Sequence, residues 1–344
     1  MVRHILVPLD GSPLAEAALP AAAAMAEAFQ ARVTLFHVLE EWAPDSVHGH
    51  SHLTDGERAQ VYLDGVARRP SLAGREIEIH VHRPRTDNVA DSIMAHADEL
   101  GADLVVLATH GQGGVRGFFV GNIALQALSR GRTPILLVNP TPGGEAPPFR
   151  CRRILVPLDG TTEHEPSLPV AARLAHAWKA PLHLVSVVPT AQTLSGPKAA
   201  TGILMPMATR AMLDIAQEEV VAYVAACRER LASDGLAATA AVVRGDPLGA
   251  IVEAAASVEA DLVVMATHAR GAMGGFWSGS LTPQLMQRLD RPILLVRAEG
   301  HDEIRLQAAQ KGPSAALARS GPRCGVPGVR LTRPIARRLA SEPF

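Results

Sequence analysis

The sequence predicts an α/β protein made of two tandem copies of one domain, each a parallel sheet with helices on both faces. Three observations carry that prediction. The chain repeats itself: Ile5-Leu6-Val7-Pro8-Leu9-Asp10-Gly11 returns 149 residues later as Ile154-Leu155-Val156-Pro157-Leu158-Asp159-Gly160, and Pro134-Ile135-Leu136-Leu137-Val138 returns 158 residues later as Pro292-Ile293-Leu294-Leu295-Val296. A repeat of this length takes precedence over any local assignment. Within each copy, β-branched apolar runs alternate with longer helical stretches, the pattern of βαβ units. Of the 344 residues, 47% are hydrophobic but only 3% aromatic, so the cores rest on Ala, Val, Leu and Ile, as suits helices packed on a buried parallel sheet.

In the first copy, strands are expected near residues 4–9, 33–39, 76–82, 103–108 and 134–138. Ser12-Pro13 starts the first helix, with a side-chain cap followed by a residue lacking the amide that a first turn leaves unpaired. Pro20 and Pro169 fall at matching places and imply a shared kink or a late helix start. The change of spacing from 149 to 158 places about nine extra residues in the middle of the second copy. Right-handed crossovers bring the loops after the strands' carboxyl ends to one edge, so the Asp10 loop and the glycine-rich loop beyond residue 108 converge. That second loop, within Leu104 to Asn122, and its copy within Leu262 to Ser280, run from a strand through glycines to a helix start. Unpaired amides and the macrodipole at such a start attract an anion, and a nucleotide is the first candidate.

The expected organisation is a first domain over 1–140, a Pro/Gly-rich linker over 141–150, a second domain over 151–298 and a basic tail over 299–344, too poor in large apolar residues to fold. A net charge of −1 argues against nucleic acid as a partner of the whole molecule. Three scattered cysteines, Cys151, Cys227 and Cys324, suit a reducing compartment. The chain opens into a strand without a signal-peptide core, and no apolar run reaches the ~18 residues of a membrane span. A soluble cytoplasmic protein is expected.

Strand-Asp-Gly-Ser/Thr, then strand-Ala-Thr-His, a glycine loop closing on Gly-Asn or Gly-Ser, and a last Pro-Ile-Leu-Leu-Val strand, twice over, resemble the universal stress protein family in its tandem form. The resemblance covers about 1–140 and 151–298. It implies two Rossmann-like domains, each a five-stranded parallel sheet of order 3-2-1-4-5. It also implies dimer-like pairing through the last strand, as a homodimer or as an internal pseudo-dimer formed by Pro134 to Val138 and Pro292 to Val296. Nucleotide-binding members carry Gly, two residues, Gly, nine residues, then Gly followed by Ser or Thr. Those positions fall on Ala108, Gly111 and Gly121-Asn122 in the first copy, and on Ala266, Ala269 and Gly279-Ser280 in the second. The spacing is kept and the glycines are partly replaced; Ala resists the positive φ that Gly permits. Ile123 and Leu281 open the helices that follow.

By the same resemblance, Asp10 and Asp159, with Pro8-Leu9 and Pro157-Leu158 before them, stand at the adenosine end. Val38 and Val187 meet the adenine through backbone groups, and His110 and His268 lie near the phosphates. At the third strand's exit the second copy keeps Arg244-Gly245-Asp246-Pro247, where the first has Arg83-Pro84-Arg85-Thr86. The expected function is a stress-response regulator that binds ATP, alone or with Mg2+, acts on a protein partner and has no dedicated catalysis. The alternative is a nucleotide-free module that works through dimerisation and partner contacts. Walker, dinucleotide and nucleophile-elbow motifs are absent, so hydrolase chemistry has no support. His48, His50 and His52 alternate in one loop, but no cysteine and no counterpart in the second copy back a metal there, and no metal ligand is expected. Met205, Met207 and Met212 are expected to pack or to form a flexible lid.

Overall fold

A computed structural model describes residues 2–39, 53–83, 88–109, 131–140, 148–161, 165–194, 204–267 and 281–298, with short stretches at 46–47, 50–51, 123, 126–127 and 130. The first half contains strands β1 (His4–Pro8), β2 (Arg32–Val38), β3 (Ile77–His82), β4 (Leu104–Ala108) and β5 (Ile135–Val138). The second contains β6 (Ile154–Leu158), β7 (Leu182–Val188), β8 (Ala238–Arg244), β9 (Leu262–Thr267) and β10 (Ile293–Arg297). All ten join in one sheet, in the order β8-β7-β6-β9-β10-β5-β4-β1-β2-β3. Each half therefore has the order 3-2-1-4-5, parallel throughout. The tail and most of the linker lie outside the described residues.

The halves meet at an antiparallel pair, β5 with β10, in the register Ile293 with Leu137, Leu294 with Leu136 and Leu295 with Ile135. Leu136 and Leu294 are repeat equivalents, so the seam is self-complementary, like the isologous face of a two-fold dimer. Its flanks obey the same symmetry. Asn139 Nδ2 donates to the Leu289 carbonyl at 2.6 Å, and Arg297 at the equivalent place donates to the Gly131 carbonyl at 3.2 Å. On one face, the rings of Phe29 and Trp178, equivalents again, meet edge to face at 5.6 Å. The last strands pair inside the chain, so a homodimer would have to form on another surface.

Helices α1 (Pro13–Glu16), α2 (Leu19–Phe29), α3 (Gly56–Ala67), α4 (Val89–Glu99), α5 (Ser167–Trp178), α6 (Pro206–Ser233), α7 (Pro247–Ser257) and α8 (Leu281–Arg288) cover both faces. One core layer places α2, α3, α5 and α6 on residues such as Ile5, Val7, Ile154 and Val156; the other places α4, α7 and α8 on Leu6, Phe36, Leu155 and Val185. Alternate residues of one buried strand thus serve opposite layers. Ser12 caps α1 by accepting from the Ala15 amide at 3.2 Å, with Pro13 in the first turn. Pro20 and Pro169 lie in the first turns of α2 and α5, the late start, where a missing amide costs nothing. The extra residues of the second half go into α6, 28 residues long. Leu204, Met205, Met207, Met212 and Ile215, before and along its first half, stand exposed instead of packing. No helix among the described residues is long and apolar enough to cross a membrane.

Candidate functional site

In each half, β1 or β6 is flanked by strands whose connections run to opposite sides, which opens a crevice at the carboxyl ends where this architecture receives ligands. The Asp loops sit at that point. In the first half Pro8 ends β1, and the Leu9 amide donates to the Phe36 carbonyl at 2.8 Å. The enclosed His37 ring lies between two carbonyls, with Nδ1 2.6 Å from that of Leu9 and Nε2 2.9 Å from that of Leu53. Ser186 replaces His37 in the second half, and its hydroxyl donates to the Leu158 carbonyl at 2.6 Å. The backbone leading to each aspartate is thus held from the neighbouring strand.

Asp10 is half-buried, and its Oδ1 accepts from the Ser12 amide at 2.8 Å. Asp159 is buried at 1% exposure, and its Oδ1 accepts from both the amide (3.0 Å) and the hydroxyl (2.7 Å) of Thr161. After each aspartate comes a glycine in the left-handed region, Gly11 at φ 91° and Gly160 at φ 82°. Each lies under an apolar side chain: a Cβ at Gly11 would stand 2.8 Å from Leu53 Cδ1, and one at Gly160 2.8 Å from Val220 Cγ2. The two halves thus build one roof from non-equivalent residues, the first from the segment before α3, the second from α6.

Val38 ends β2, whereas Val187 is the next-to-last residue of β7; both are buried. Ala108 closes β4 half-buried, and Ala266 lies buried one residue before the end of β9. Beyond them the glycine loops, with His110, Gly111, Gly121, Asn122, His268, Gly279 and Ser280, lie outside the described residues. Their far ends are defined: Ile123 is helical and 40% exposed, and Leu281 opens α8. Thr282, in the first turn of α8, shares a 2.9 Å hydrogen bond with Thr267 at the end of β9, which pins that helix start beside the strand's carboxyl end. The structure therefore gathers Asp159, Ala266 and the α8 terminus at one edge of the sheet, the arrangement that binds anions.

The sequence profile of the universal stress protein family matches residues 1–139 and again 150–297. The chain belongs to the universal stress protein family. YxiE, a universal stress protein of Bacillus subtilis strain 168, is 26% identical over 147 residues, 40% of this chain and 99% of its own length. A universal stress protein of Thermus aquaticus is 40% identical over 58 residues, 17% of this chain and 42% of its own. The crystal structure of a universal stress protein from Archaeoglobus fulgidus DSM 4304 aligns with a TM-score of 0.59 at 16% identity, covering 87% of this chain and 97% of that one. A functionally unknown protein from Pseudomonas aeruginosa PAO1 aligns equally well, at 18% identity over 90% of this chain and 96% of its own. At such identities the likeness is one of fold.

This universal stress protein also braces each Asp loop with a network that the sequence did not suggest. Glu16 accepts from Tyr62 at 3.0 Å and pairs with Arg69 at 2.7 Å. In the second half Glu165 pairs with Arg230 at 3.3 Å, and Tyr223 donates to the Thr161 carbonyl at 3.3 Å. Burial, reinforced by the Glu16 carboxylate for Tyr62 and by Cys227 and Glu165 for Tyr223, pushes both phenols well above their usual range, so both remain donors. The signal was present in the repeat: Tyr62 and Tyr223 have the same 161-residue spacing as Arg69 and Arg230.

Proposed function

We propose that this chain is a stress-response regulator that binds an adenine nucleotide, ATP alone or with Mg2+, and has no dedicated catalysis, with the first half as the principal site. The observation that carries this reading is the contrast between the aspartates: Asp10 presents a partly exposed carboxylate at the switch point, whereas Asp159 is enclosed and turned to Thr161. A carboxylate there accepts hydrogen bonds from a ribose, and a charge-assisted bond contributes about 1.5–3 kcal/mol. Nucleotide binding would order the glycine loop and shift the balance of states seen by a protein partner.

The test is calorimetric titration of the full-length chain with ATP, with analysis of nucleotide released on denaturation. Asp10→Ala is expected to weaken binding at least about tenfold, Asp159→Ala far less, and phosphate release to stay at the protein-free rate. Absence of released nucleotide, together with a melting temperature unmoved by millimolar ATP, would overturn the reading. The buried Asp159 and the alanines at 108, 266 and 269 favour a second reading, a nucleotide-free scaffold acting through partner contacts, and that outcome would support it.

A further inference from the structure

Strand β3 forms the outer edge of the first half, and its residues alternate between the two core layers. Ile77, Ile79 and Val81 pack into one layer, while His80 and His82 face the other, beside Phe36 and Val38 of β2. Helix α4 crosses that face and brings His96, 7% exposed. The rings lie close: centroids are 4.0 Å apart for His82 and His96, and 5.0 Å for His80 and His96, with Phe36 5.0 Å beneath His96. One ring nitrogen from each of the three falls within 4.8 Å of the others. His96 Nδ1 donates to the Ser92 carbonyl at 2.8 Å, which leaves Nε2 as the ring nitrogen not taken up by that bond. Glu99 Oε2 lies 3.8 Å from that nitrogen.

The fold does not need imidazoles here. Strand registers equate Phe36 with Val185, and hence His80 with Ala241 and His82 with Val243. Ala97 and Ala255 accept equivalent hydrogen bonds, which equates His96 with Ala254. The second half therefore carries two alanines and a valine at the equivalent positions, with Ala241 and Val243 exposed. In the first half, burial first and then the neighbouring rings hold His80 and His82 below the usual histidine range.

We propose that His80, His82 and His96 form a binding site for a late first-row divalent cation, best matched by Zn2+, with Glu99 in reach of the fourth position. Three imidazoles and a carboxylate are ligands that Zn2+ accepts, and a ligating histidine characteristically donates its other N–H to a carbonyl, as His96 does to Ser92. Tetrahedral Zn–N bonds of about 2.0–2.1 Å set ligand nitrogens about 3.4 Å apart, so rotations moving each ring tip by about an ångström close the site. The bound ion fastens the edge strand β3 to α4, joining two elements that otherwise meet only through side-chain packing.

The test titrates metal-free full-length chain with Zn2+ against a chromophoric chelator. One equivalent is expected to bind at micromolar affinity or tighter and to raise the melting temperature by several degrees. In His80→Ala/His82→Val/His96→Ala, which installs the second half's own residues, that equivalent is expected to weaken by more than about 100-fold, with far-ultraviolet circular dichroism unchanged. His96→Gln alone is the milder variant should the triple one fail to fold, and it is expected to lose the melting shift. His48→Ala/His50→Ala/His52→Ala is expected to keep both effects. The proposal is overturned if the wild-type chain binds no such equivalent, or if affinity survives in the triple or His96→Gln variant.

Discussion

Gly160→Ala offers the sharpest test of how the Asp loop is roofed. At φ 82° an L-residue costs about 1–2 kcal/mol. The new Cβ would also meet Val220 Cγ2 at 2.8 Å, and Val220 is 5% exposed with a β-branched side chain that has no easy alternative rotamer. Overpacking of this kind costs about 1–3 kcal/mol, for a total of about 2–5 kcal/mol. Val220→Ala alone should cost about 1.5–3 kcal/mol by removing buried methyls. In the double variant the clash disappears, so the two losses should fall short of additivity by about 1–3 kcal/mol. Gly11→Ala meets Leu53 at both Cδ1 (2.8 Å) and Cγ (2.9 Å), but Leu53 is only half-buried, so its whole side chain can turn away about χ1, and chiefly the backbone term of about 1–2 kcal/mol should remain. Urea unfolding followed by circular dichroism gives all five stabilities. Additivity of Gly160→Ala and Val220→Ala within about 0.5 kcal/mol, or equal losses at Gly11 and Gly160, would refute the reasoning.

Two further predictions concern buried titratable groups. Burial above all holds His4 below the usual histidine range, so the unfolded chain takes up a proton that the folded chain refuses. This contribution to stability is present above about pH 6.5 and lost as the pH falls towards the folded-state value. Melting temperatures of His4→Gln should therefore decline less than those of the wild type on acidification, and parallel curves would assign the acid sensitivity elsewhere. Cys151 is buried, with its thiol pushed up to about 12 by burial and then by Asp261. It should resist a thiol reagent in the native protein at mild alkaline pH and react only in urea; rapid native labelling, read by peptide mass mapping, would contradict this.

Most strands were legible because a buried parallel strand is an unbroken β-branched run, as in Ile5-Leu6-Val7 and its copy, and because two copies checked each other. The Ser12 cap and the late helix starts at Pro20 and Pro169 were legible for local reasons, since they depend on residues one turn apart. Val220 over Gly160 was not, because a residue 60 positions away is brought there by α6, whose length no local pattern announced. The histidine cluster hid for a similar reason. His80 and His82 share a face by strand periodicity, but His96 reaches them only when α4 crosses the sheet. A comparison of the copies held the clue, since the second copy has Ala241, Val243 and Ala254 at those places and no imidazole.

The antiparallel seam between β5 and β10 has a consequence for how such a molecule can change. Two identical subunits meeting across a two-fold axis receive every substitution in duplicate, so a loss at one pocket is a loss at both. Tethered halves are released from that constraint while their association stays independent of dilution. One half can close its aspartate and line its outer layer with aliphatic residues while the other keeps an open carboxylate and three imidazoles. The seam lets a symmetric assembly hold two different chemistries.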